Sequence, residues 1–222
     1  KKLESFVYSV GIIGCGAIFN RHVKSISENK DFKLVAICDI NKHLVDDLAQ
    51  NLNVKSYTDY RDLAKDPEVD FVVVASPNYF HYEQSIFCLK NNCDVLIEKP
   101  VAFNACKIDD IERISKKHNQ KAFCVLQVRL NNSVKIVKET LDKKLLGEIR
   151  GVTFAQRWQR PYEYFSGWRN SAKIGGGLLY EVGIHYLDIL QMIFGMPDVI
   201  STKTYKTKHK NANIEDTIYS LL

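Results

Sequence analysis

Short apolar runs alternate with helix-length amphipathic segments along the first half of the sequence, and this alternation restricts the fold more than any other feature. The run Phe71-Val72-Val73-Val74 is wholly apolar, which is typical of a parallel strand covered on both faces. Because right-handed crossovers join parallel strands, the alternation predicts a doubly wound α/β sheet with ligands beyond the carboxyl ends of its strands. We predict strands near residues 6–13, 32–38, 55–57, 71–74, 94–97 and 122–126, and helices near 17–29, 41–50, 60–64, 80–91 and 104–118.

The first predicted strand runs directly into closely spaced glycines, in the stretch Val10-Gly11-Ile12-Ile13-Gly14-Cys15-Gly16-Ala17-Ile18-Phe19. Gly14 and Gly16 permit a tight turn and let the backbone approach a pyrophosphate at the N-terminus of the next helix. Phe19 occupies the place of the third glycine, so the spacing alone gives an incomplete dinucleotide fingerprint. The alternative is an ordinary strand-to-helix turn.

An acidic residue ends the second predicted strand. Asp39 follows Gly16 by 23 residues, close to the position where a carboxylate accepts hydrogen bonds from the adenosine ribose of a dinucleotide. Because such a carboxylate repels a 2′-phosphate, Asp39 favours NAD over NADP. The alternative is that Asp39 only helps to start the following helix.

Polar groups also follow the later strands: Ser76-Pro77-Asn78 the fourth, Glu98-Lys99-Pro100 the fifth and Gln127 the sixth. The carboxyl ends of parallel strands meet at one edge of the sheet. Lys99 is therefore expected where the reactive end of a dinucleotide lies, and a partly desolvated lysine can act as a general acid or base. The alternative is a solvated lysine at a strand end.

The pattern changes after Gln127, and we expect a second domain to begin at residue 129. A helix near 131–143 precedes residues 147–154, whose alternation predicts a half-buried antiparallel strand. The next stretch could stack on a base or sugar and pair with phosphates or a carboxylate, or it could simply pack as an aromatic loop. Its cationic and aromatic members are Arg157, Trp158, Arg160, Tyr162, Tyr164, Phe165, Trp168 and Arg169.

Three consecutive glycines, Gly175 to Gly177, open an apolar helix predicted near residues 178–190. Glu181, His185 and Asp188 are spaced i, i+4 and i+7, so they share one face of that helix. Ionisable groups on a buried helix are costly unless they are paired or used in chemistry. A hydrogen-bonded His–Asp pair is one explanation; a metal site is another, but no further ligand cluster accompanies these residues and we expect no metal.

The composition fits a globular chain, since 45% of its 222 residues are hydrophobic and no apolar run reaches the length of a membrane span. No signal-peptide pattern opens the sequence and its six cysteines lack C-x-x-C spacing, so we expect a cytoplasmic location, no membrane partner, no disulfide and no zinc site. The net charge of +5 is mild. The basic residues between Lys203 and Lys210 fit a solvated strand edge better than a nucleic-acid surface, so we expect no nucleic-acid partner.

Taken in order, these motifs resemble those of the Gfo/Idh/MocA family of NAD(P)-dependent oxidoreductases. The resemblance covers nearly the whole chain. It implies a Rossmann domain in residues 1–128 and, in residues 129–222, an α/β domain with an open, mostly antiparallel sheet that commonly serves oligomerisation, hence a homodimer or homotetramer. The motifs are the glycine loop, Asp39, Ser76-Pro77-Asn78-x-x-His81, Glu98-Lys99-Pro100, Trp168-Arg169, the triple glycine and Gly183-Ile184-His185-x-x-Asp188.

The resemblance also implies roles for single residues. Lys99 and His185 take the family's catalytic positions, with His185 accepting the proton of a substrate hydroxyl while hydride passes to nicotinamide C4. Glu181 is the third candidate catalytic residue, but it stands where many members carry aspartate, so its part in proton transfer is open. Pro100 is implied to be cis. The implied cofactor contacts are Gly14, Gly16, Ala17, Ile18, Phe19, Asp39, Ser76, Pro77, Asn78, His81, Glu98, Lys99, Gln127, Trp168 and Arg169. The implied substrate contacts are Lys99, Arg157, Arg160, Tyr164, Asn170, Glu181 and His185.

Within the family, residues 76–82, 126–129 and 164–170 are most similar to bacterial UDP-N-acetylglucosaminuronic acid 3-dehydrogenases. This similarity implies NAD-dependent oxidation of C3 of a nucleotide sugar, in the synthesis of sugars for surface polysaccharide. Two alternatives stay open: a dehydrogenase of an unactivated polyol or hexose such as inositol, and a non-catalytic dinucleotide-binding protein. The family's sheet domain normally extends beyond the position of residue 222, so we expect this domain to be incomplete in the chain.

Overall fold

The computed structural model describes residues 7–210 and 212–222, which form two compact units, one ending at Val125 and one spanning Leu126–Leu222. The first unit contains a six-stranded sheet in the order β3-β2-β1-β4-β5-β6, with every neighbouring pair parallel. The predicted doubly wound sheet is therefore confirmed. Its strands are β1 Tyr8–Ile13, β2 Phe32–Cys38, β3 Lys55–Tyr57, β4 Phe71–Val74, β5 Asp94–Ile97 and β6 Ala122–Cys124.

Five helices connect these strands, each close to its predicted position: α1 Phe19–Ser27, α2 Lys42–Leu52, α3 Tyr60–Lys65, α4 His81–Lys90 and α5 Ala105–Lys117. Polar side chains cap three of them, because Asn41, Asp59 and Asn104 each accept a hydrogen bond from a backbone N–H in the first turn. The predicted start of the first strand, at Phe6, lies outside the described residues.

The core of the first unit lies on both faces of the sheet, which explains the wholly apolar strands. Along β4, Val72 and Val74 pack with Leu89 and Ile97 on one face, whereas Val73 packs with Ile12 on the other. Successive side chains of a strand point to opposite faces, so a strand covered on both faces must be apolar at every position.

None of the six cysteines, all of which lie in the described residues, forms a disulfide bond, and Cys106 and Cys124 are exposed. The other four are buried. Burial raises the pKa of Cys15, Cys38 and Cys93 to about 12, so these three thiols stay protonated and pack as small apolar side chains.

The described residues of the second unit form two α-helices, several short 3-10 turns and an antiparallel strand pair: α6 Asn132–Asp142, α7 Ile184–Phe194, β7 Ser201–Tyr205 and β8 Thr217–Leu221. The segment Leu179–Gly183 forms a wider π-helical turn that leads directly into α7. None of the helices in residues 7–210 and 212–222 is both long and apolar enough to cross a bilayer.

The predicted antiparallel strand at residues 147–154 is wrong. The segment is irregular and exposed, including the apolar Val152 and Phe154. Alternation indicates only which side chains face the same way, whereas a strand also needs a neighbour to supply its ladder of hydrogen bonds. Within the described part of the second unit, β7 and β8 pair with each other and no strand pairs with residues 147–154.

Candidate functional site

The residues that follow the parallel strands form one row along the carboxyl edge of the sheet. Each donates its backbone N–H to the last residue of the neighbouring strand, which fixes their order as Asp39, Gly14, Ala75 and Glu98. Neighbouring strands lie about 4.8 Å apart, so Asp39 and Glu98, three strands apart, are separated by about 14 Å. The bonds are Asp39 to Tyr57 (3.1 Å), Gly14 to Cys38 (2.8 Å), Ala75 to Ile13 (2.8 Å) and Glu98 to Val74 (2.9 Å).

The glycine loop lies where the strand order reverses, between β1 and β4. Gly14 has φ +99°, and a Cβ there would lie 2.6 Å from the carbonyl oxygen of Ala75, so both the conformation and the packing require glycine. A Cβ on Gly16, in contrast, would meet no protein atom within 4 Å. The loop thus leaves open space over exposed backbone at the N-terminus of α1, as a phosphate cradle requires.

Phe19, at the place of the missing third glycine, does not fill this cradle. Its side chain is 2% exposed and packs in the core with Val10, Ile12 and Val73. The first residue of α1 therefore anchors the helix to the sheet. Ala17 is exposed beside Gly16, whereas Ile18 is half-buried.

Asp39 fastens the glycine loop to the start of α2. Its Oδ2 accepts a 2.9 Å hydrogen bond from the N–H of Cys15, and its Oδ1 accepts one of 2.9 Å from the N–H of Asn41. Asp39 therefore also orders the turn before α2, whose N-cap is Asn41. The residue is only half-buried, and each carboxylate oxygen retains a further lone pair.

His81 joins the segments that follow β4 and β5. Its ring nitrogens lie 2.7 Å from the carbonyl oxygen of Ser76 and 2.8 Å from that of Pro100. Burial lowers the pKa of His81, against the opposing effect of these two carbonyls. The Lys99–Pro100 peptide bond is cis, as the resemblance implied. Asn78 is buried in this region, whereas Ser76 and Pro77 are half-buried.

A partly buried contact between His22 and Glu98, which was not predicted from the sequence, lies beside Lys99. His22, on α1, is 2.9 Å from Oε1 of Glu98, and the N–H of Lys99 lies 3.3 Å from Oε2. Burial acts to raise the pKa of Glu98, but the His22 contact and Lys99 outweigh it and hold that pKa below its usual value. The available signal was the position of His22, one helical turn after the buried Phe19. The Lys99 side chain itself is half-buried.

The second unit places Glu181 and His185 in its interior, each 9% exposed. Glu181 Oε2 accepts a 3.1 Å hydrogen bond from Nε of Arg169. Asp188 accepts hydrogen bonds from Nε (2.7 Å) and Nη2 of Arg129, a partner that the spacing of residues 181–188 did not indicate. The three ionisable groups thus lie on consecutive turns, and two of them bind arginines from other segments.

The predicted aromatic loop is partly folded into the second unit. Arg157 is exposed, whereas Arg160, Tyr164, Trp168 and Asn170 are half-buried. Burial raises the pKa of the Tyr164 hydroxyl. We call Trp158, Arg160, Tyr164, Trp168 and Arg169 the arginine–aromatic stack, because the two guanidinium groups lie over the rings of the other three residues.

Residues 206–210 and 212–216 pack against this segment. Ala212 and Ile214 form a small core with Phe165, and the N–H of Asn213 donates a 2.6 Å hydrogen bond to Oδ1 of Asn170. Burial opposes ionisation of Asp216, yet hydrogen bonds from the backbone of His209, Thr207 and Lys208 hold its pKa well below the usual range. These residues are therefore pinned by one buried carboxylate.

The triple glycine fits closely against the arginine–aromatic stack. A Cβ on Gly176 would lie 2.6 Å from the carbonyl carbon of Arg169 and 2.9 Å from the carbonyl oxygen of Trp168. Its N–H also donates to the carbonyl of Ser171 at 2.9 Å. Gly176 is thus needed for this close approach.

The structure brings the predicted cofactor residues of the first unit to one sheet edge, and it brings Arg160, Tyr164, Trp168, Arg169 and Glu181 together within the second. Gln127 begins an exposed turn of the second unit. In residues 7–210 and 212–222, no three His, Cys, Asp or Glu side chains are grouped so that they could hold a metal ion.

The sheet order, the glycine loop at the reversal point and the acid after β2 define a dinucleotide-binding Rossmann unit. Residues 8–127 match the family model described as "Oxidoreductase family, NAD-binding Rossmann fold", and residues 134–222 match the GFO/IDH/MocA C-terminal domain. The chain belongs to the Gfo/Idh/MocA family, as its motifs predicted.

Three relatives with low sequence identity to this chain are dehydrogenases. The chain is 28% identical to myo-inositol 2-dehydrogenase of Thermotoga maritima, covering 84% of this chain and 54% of that one. It is 30% identical to D-glucoside 3-dehydrogenase of Escherichia coli, covering 88% of this chain and 56% of that one. The crystal structure of the WlbA dehydrogenase from Bordetella pertussis, in complex with NADH and UDP-GlcNAcA, is similar with a TM-score of 0.89 at 26% identity, covering 96% of this chain and 62% of that one. The chain thus spans 54–62% of the length of these relatives, less than two thirds in each case.

Proposed function

We propose that this chain carries the cofactor and substrate sites of an NAD-dependent dehydrogenase that oxidises a secondary hydroxyl of a sugar. The observation that carries the proposal is the row of Gly14, Asp39 and Glu98-Lys99 along one sheet edge, in a chain of this oxidoreductase family. We assign residues 1–128 to the NAD-binding domain and 129–222 to the substrate domain. The arginine–aromatic stack and Glu181, on the segment that leads to His185, support the second assignment.

In this proposal the cofactor lies across the carboxyl edge of the sheet. The open backbone of Gly16 and Ala17 and the N-terminus of α1 receive the pyrophosphate, and Asp39 binds the adenosine ribose. The carboxylate of Asp39 disfavours a 2′-phosphate, which supports NAD over NADP. The remaining cofactor contacts are Gly14, Ile18, Phe19, Ser76, Pro77, Asn78, His81, Glu98, Lys99, Gln127, Trp168 and Arg169.

The bound nicotinamide supplies a hydride acceptor at its C4 atom. The oxidised carbon of the substrate gives up its C–H hydride, and its hydroxyl loses a proton to the imidazole of His185, so that the alcohol becomes a ketone. Lys99 stabilises the oxygen as its proton leaves. The buried Glu98, held by His22, fixes the backbone from which Lys99 extends.

For the substrate we propose a UDP-N-acetylhexosaminuronate oxidised at C3. The supporting observations are the aromatic and cationic loop, with Arg157, Arg160, Tyr164 and Asn170, and the 26% identity to WlbA. Such a reaction belongs to the synthesis of sugars for surface polysaccharide. The alternative is an unactivated polyol or hexose, which the 28% identity to an inositol dehydrogenase favours.

We further propose a cytoplasmic homo-oligomer. Six cysteines without a disulfide bond support a reducing compartment. The exposed apolar side chains Ile136, Leu146, Ile149 and Phe194 support association through the second unit.

A single-turnover absorbance assay with NAD tests the reaction. UDP-N-acetylglucosaminuronic acid should produce reduced nicotinamide, whereas inositol and free hexoses should not. Formation of reduced nicotinamide with a free polyol would refute the nucleotide-sugar substrate and would still support a dehydrogenase. If NAD binds and no substrate reacts, a non-catalytic dinucleotide-binding protein becomes the better explanation.

A pair of lysine variants tests the catalytic assignment. Lys99→Met should abolish hydride transfer and leave NAD binding intact. Lys33→Met is the matched control, because Lys33 is exposed near the start of β2, at the opposite edge of the sheet. Full turnover by Lys99→Met would refute the role of Lys99.

A further inference from the structure

The arginine–aromatic stack alternates cations with rings. The guanidinium carbon of Arg160 lies 4.6 Å from the ring centres of both Trp158 and Tyr164. That of Arg169 lies 5.3 Å from Tyr164 and 4.9 Å from Trp168. The two arginines therefore occupy equivalent places in one stack.

The two arginines differ in their ionic partners. Arg169 donates from Nε to the buried carboxylate of Glu181 at 3.1 Å, so its charge is balanced within the protein. No Asp or Glu in residues 7–210 and 212–222 lies within ion-pair distance of Arg160. Its Nε is buried and has no hydrogen-bond acceptor among those residues. A desolvated donor of this kind calls for an acceptor that the described part of the protein does not supply.

The environment of Arg160 fits an oxyanion ligand. The rings of Trp158 and Tyr164 both lie close to the guanidinium group, and this group carries N–H donors in a planar fork that matches phosphate or carboxylate oxygens. The backbone is also held in place, because Nζ of Lys208 donates a 3.2 Å hydrogen bond to the carbonyl oxygen of Arg160. The stack thus fixes the guanidinium before a ligand arrives, which reduces the entropy lost on binding.

We propose that Arg160 is the anion anchor of the substrate site and binds a phosphate or carboxylate group of the substrate. Arg169, neutralised by Glu181, serves instead to connect the stack to the segment that carries His185. This inference rests on the proposed function in assigning the anion to the oxidised substrate, and it makes anionic sugars the favoured class over neutral polyols.

Both tryptophans of the chain, Trp158 and Trp168, belong to the stack, so intrinsic fluorescence reports on this site without any need for turnover. We would titrate the protein with UDP, glucuronate and neutral uridine. UDP or glucuronate should change the fluorescence, whereas uridine should bind at least about tenfold more weakly. Absence of any response or calorimetric binding with both anions would overturn the proposal.

Variants of Arg160 identify the anchor. Arg160→Met should weaken binding of the anion by about tenfold to a hundredfold, because a charge-assisted hydrogen bond is lost. Arg160→Lys keeps the charge and loses the planar fork, so it should bind with intermediate affinity, and it serves if the methionine variant does not fold. Arg150→Met is the matched control, since Arg150 is exposed in the same unit and should bind as the unaltered chain does.

The variants also separate the two anion sources. Loss of UDP binding alone would assign Arg160 to the phosphates, and loss of glucuronate binding alone would assign it to the sugar carboxylate. Unchanged binding of both anions by folded Arg160→Met would refute the anchor. If the anions bind and no substrate produces reduced nicotinamide, Arg160 remains the anion anchor and the proposed reaction is refuted. If a neutral polyol is turned over and the anions do not bind, the dehydrogenase activity is supported and the anchor is refuted.

Discussion

Removing His22 provides the sharpest test of how the edge beside Lys99 is stabilised. Glu98 is 8% exposed, and its carboxylate accepts from His22 at 2.9 Å and from the Lys99 amide at a longer 3.3 Å. A hydrogen bond to a charged group contributes about 1.5–3 kcal/mol, and burial places this one in the upper part of that range. We therefore expect His22→Ala to lower the free energy of unfolding by about 2–3 kcal/mol at pH 7.

The pH dependence of this loss has a defined sign. The pKa of Glu98 is lowered in the folded protein from its ordinary value of 4.5. Its stabilising contribution is therefore complete above pH 4.5 and is lost as the pH falls through the folded-state pKa. The difference between the unaltered chain and His22→Ala should be largest at neutral pH and smaller in acid. His22, Lys99 and His81 are the charged or titratable groups that act on this carboxylate.

Urea unfolding at neutral and acidic pH measures both effects. The control is the same substitution in a Glu98→Gln background. There, His22→Ala should lower the free energy of unfolding by only about 1 kcal/mol, because the carboxylate is absent. A loss below about 0.5 kcal/mol at pH 7, or an equal loss at both pH values, would refute the argument that His22 stabilises a buried charge.

Three further predictions address the remaining parts of the site. Gly14→Ala should lower stability by more than about 1 kcal/mol and abolish NAD binding measured by calorimetry, because φ is +99° and Ala75 leaves no space; Gly16→Ala, facing open space, should weaken NAD binding and keep full stability. Asp216→Asn should destabilise the second unit by about 2 kcal/mol in urea, with the difference shrinking in acid because the folded pKa of Asp216 is depressed. Glu181→Gln should raise KM and leave the pH dependence of kcat unchanged, since we assign the proton to His185; a shifted kcat profile would make Glu181 a catalytic acid or base instead.

The sequence predicted much of the first unit because local pattern and global fold agree there. The wholly apolar β4 requires a sheet covered on both faces, and Asn41 and Asn104 cap helices that were predicted to start near them. The strand predicted at residues 147–154 is absent for the opposite reason. Their alternation describes side-chain direction, whereas strand formation depends on a hydrogen-bonding neighbour elsewhere in space.

The residues of the site show the same difference between local signals and contacts that depend on the tertiary structure. Glycine spacing and the acid after β2 are local signals, so Gly14, Gly16 and Asp39 could be identified directly from the sequence. The partners of the charged side chains could not be identified in this way, because they are distant in the chain. His22 lies 76 residues from Glu98, Arg129 lies 59 residues from Asp188, and Glu181 lies 12 residues from Arg169.

The sequence alone therefore determined the doubly wound sheet, the glycine loop and the family, since each depends on periodicity or on motifs of fixed spacing. Only the tertiary structure decided which charges are neutralised. Glu98 and Glu181 have partners, whereas Arg160 lies against two rings and has no carboxylate in ion-pair range among the described residues. The physical reason is that an ion pair is fixed by distance in space, and a stretch such as residues 157–170 gives each of its arginines the same local appearance.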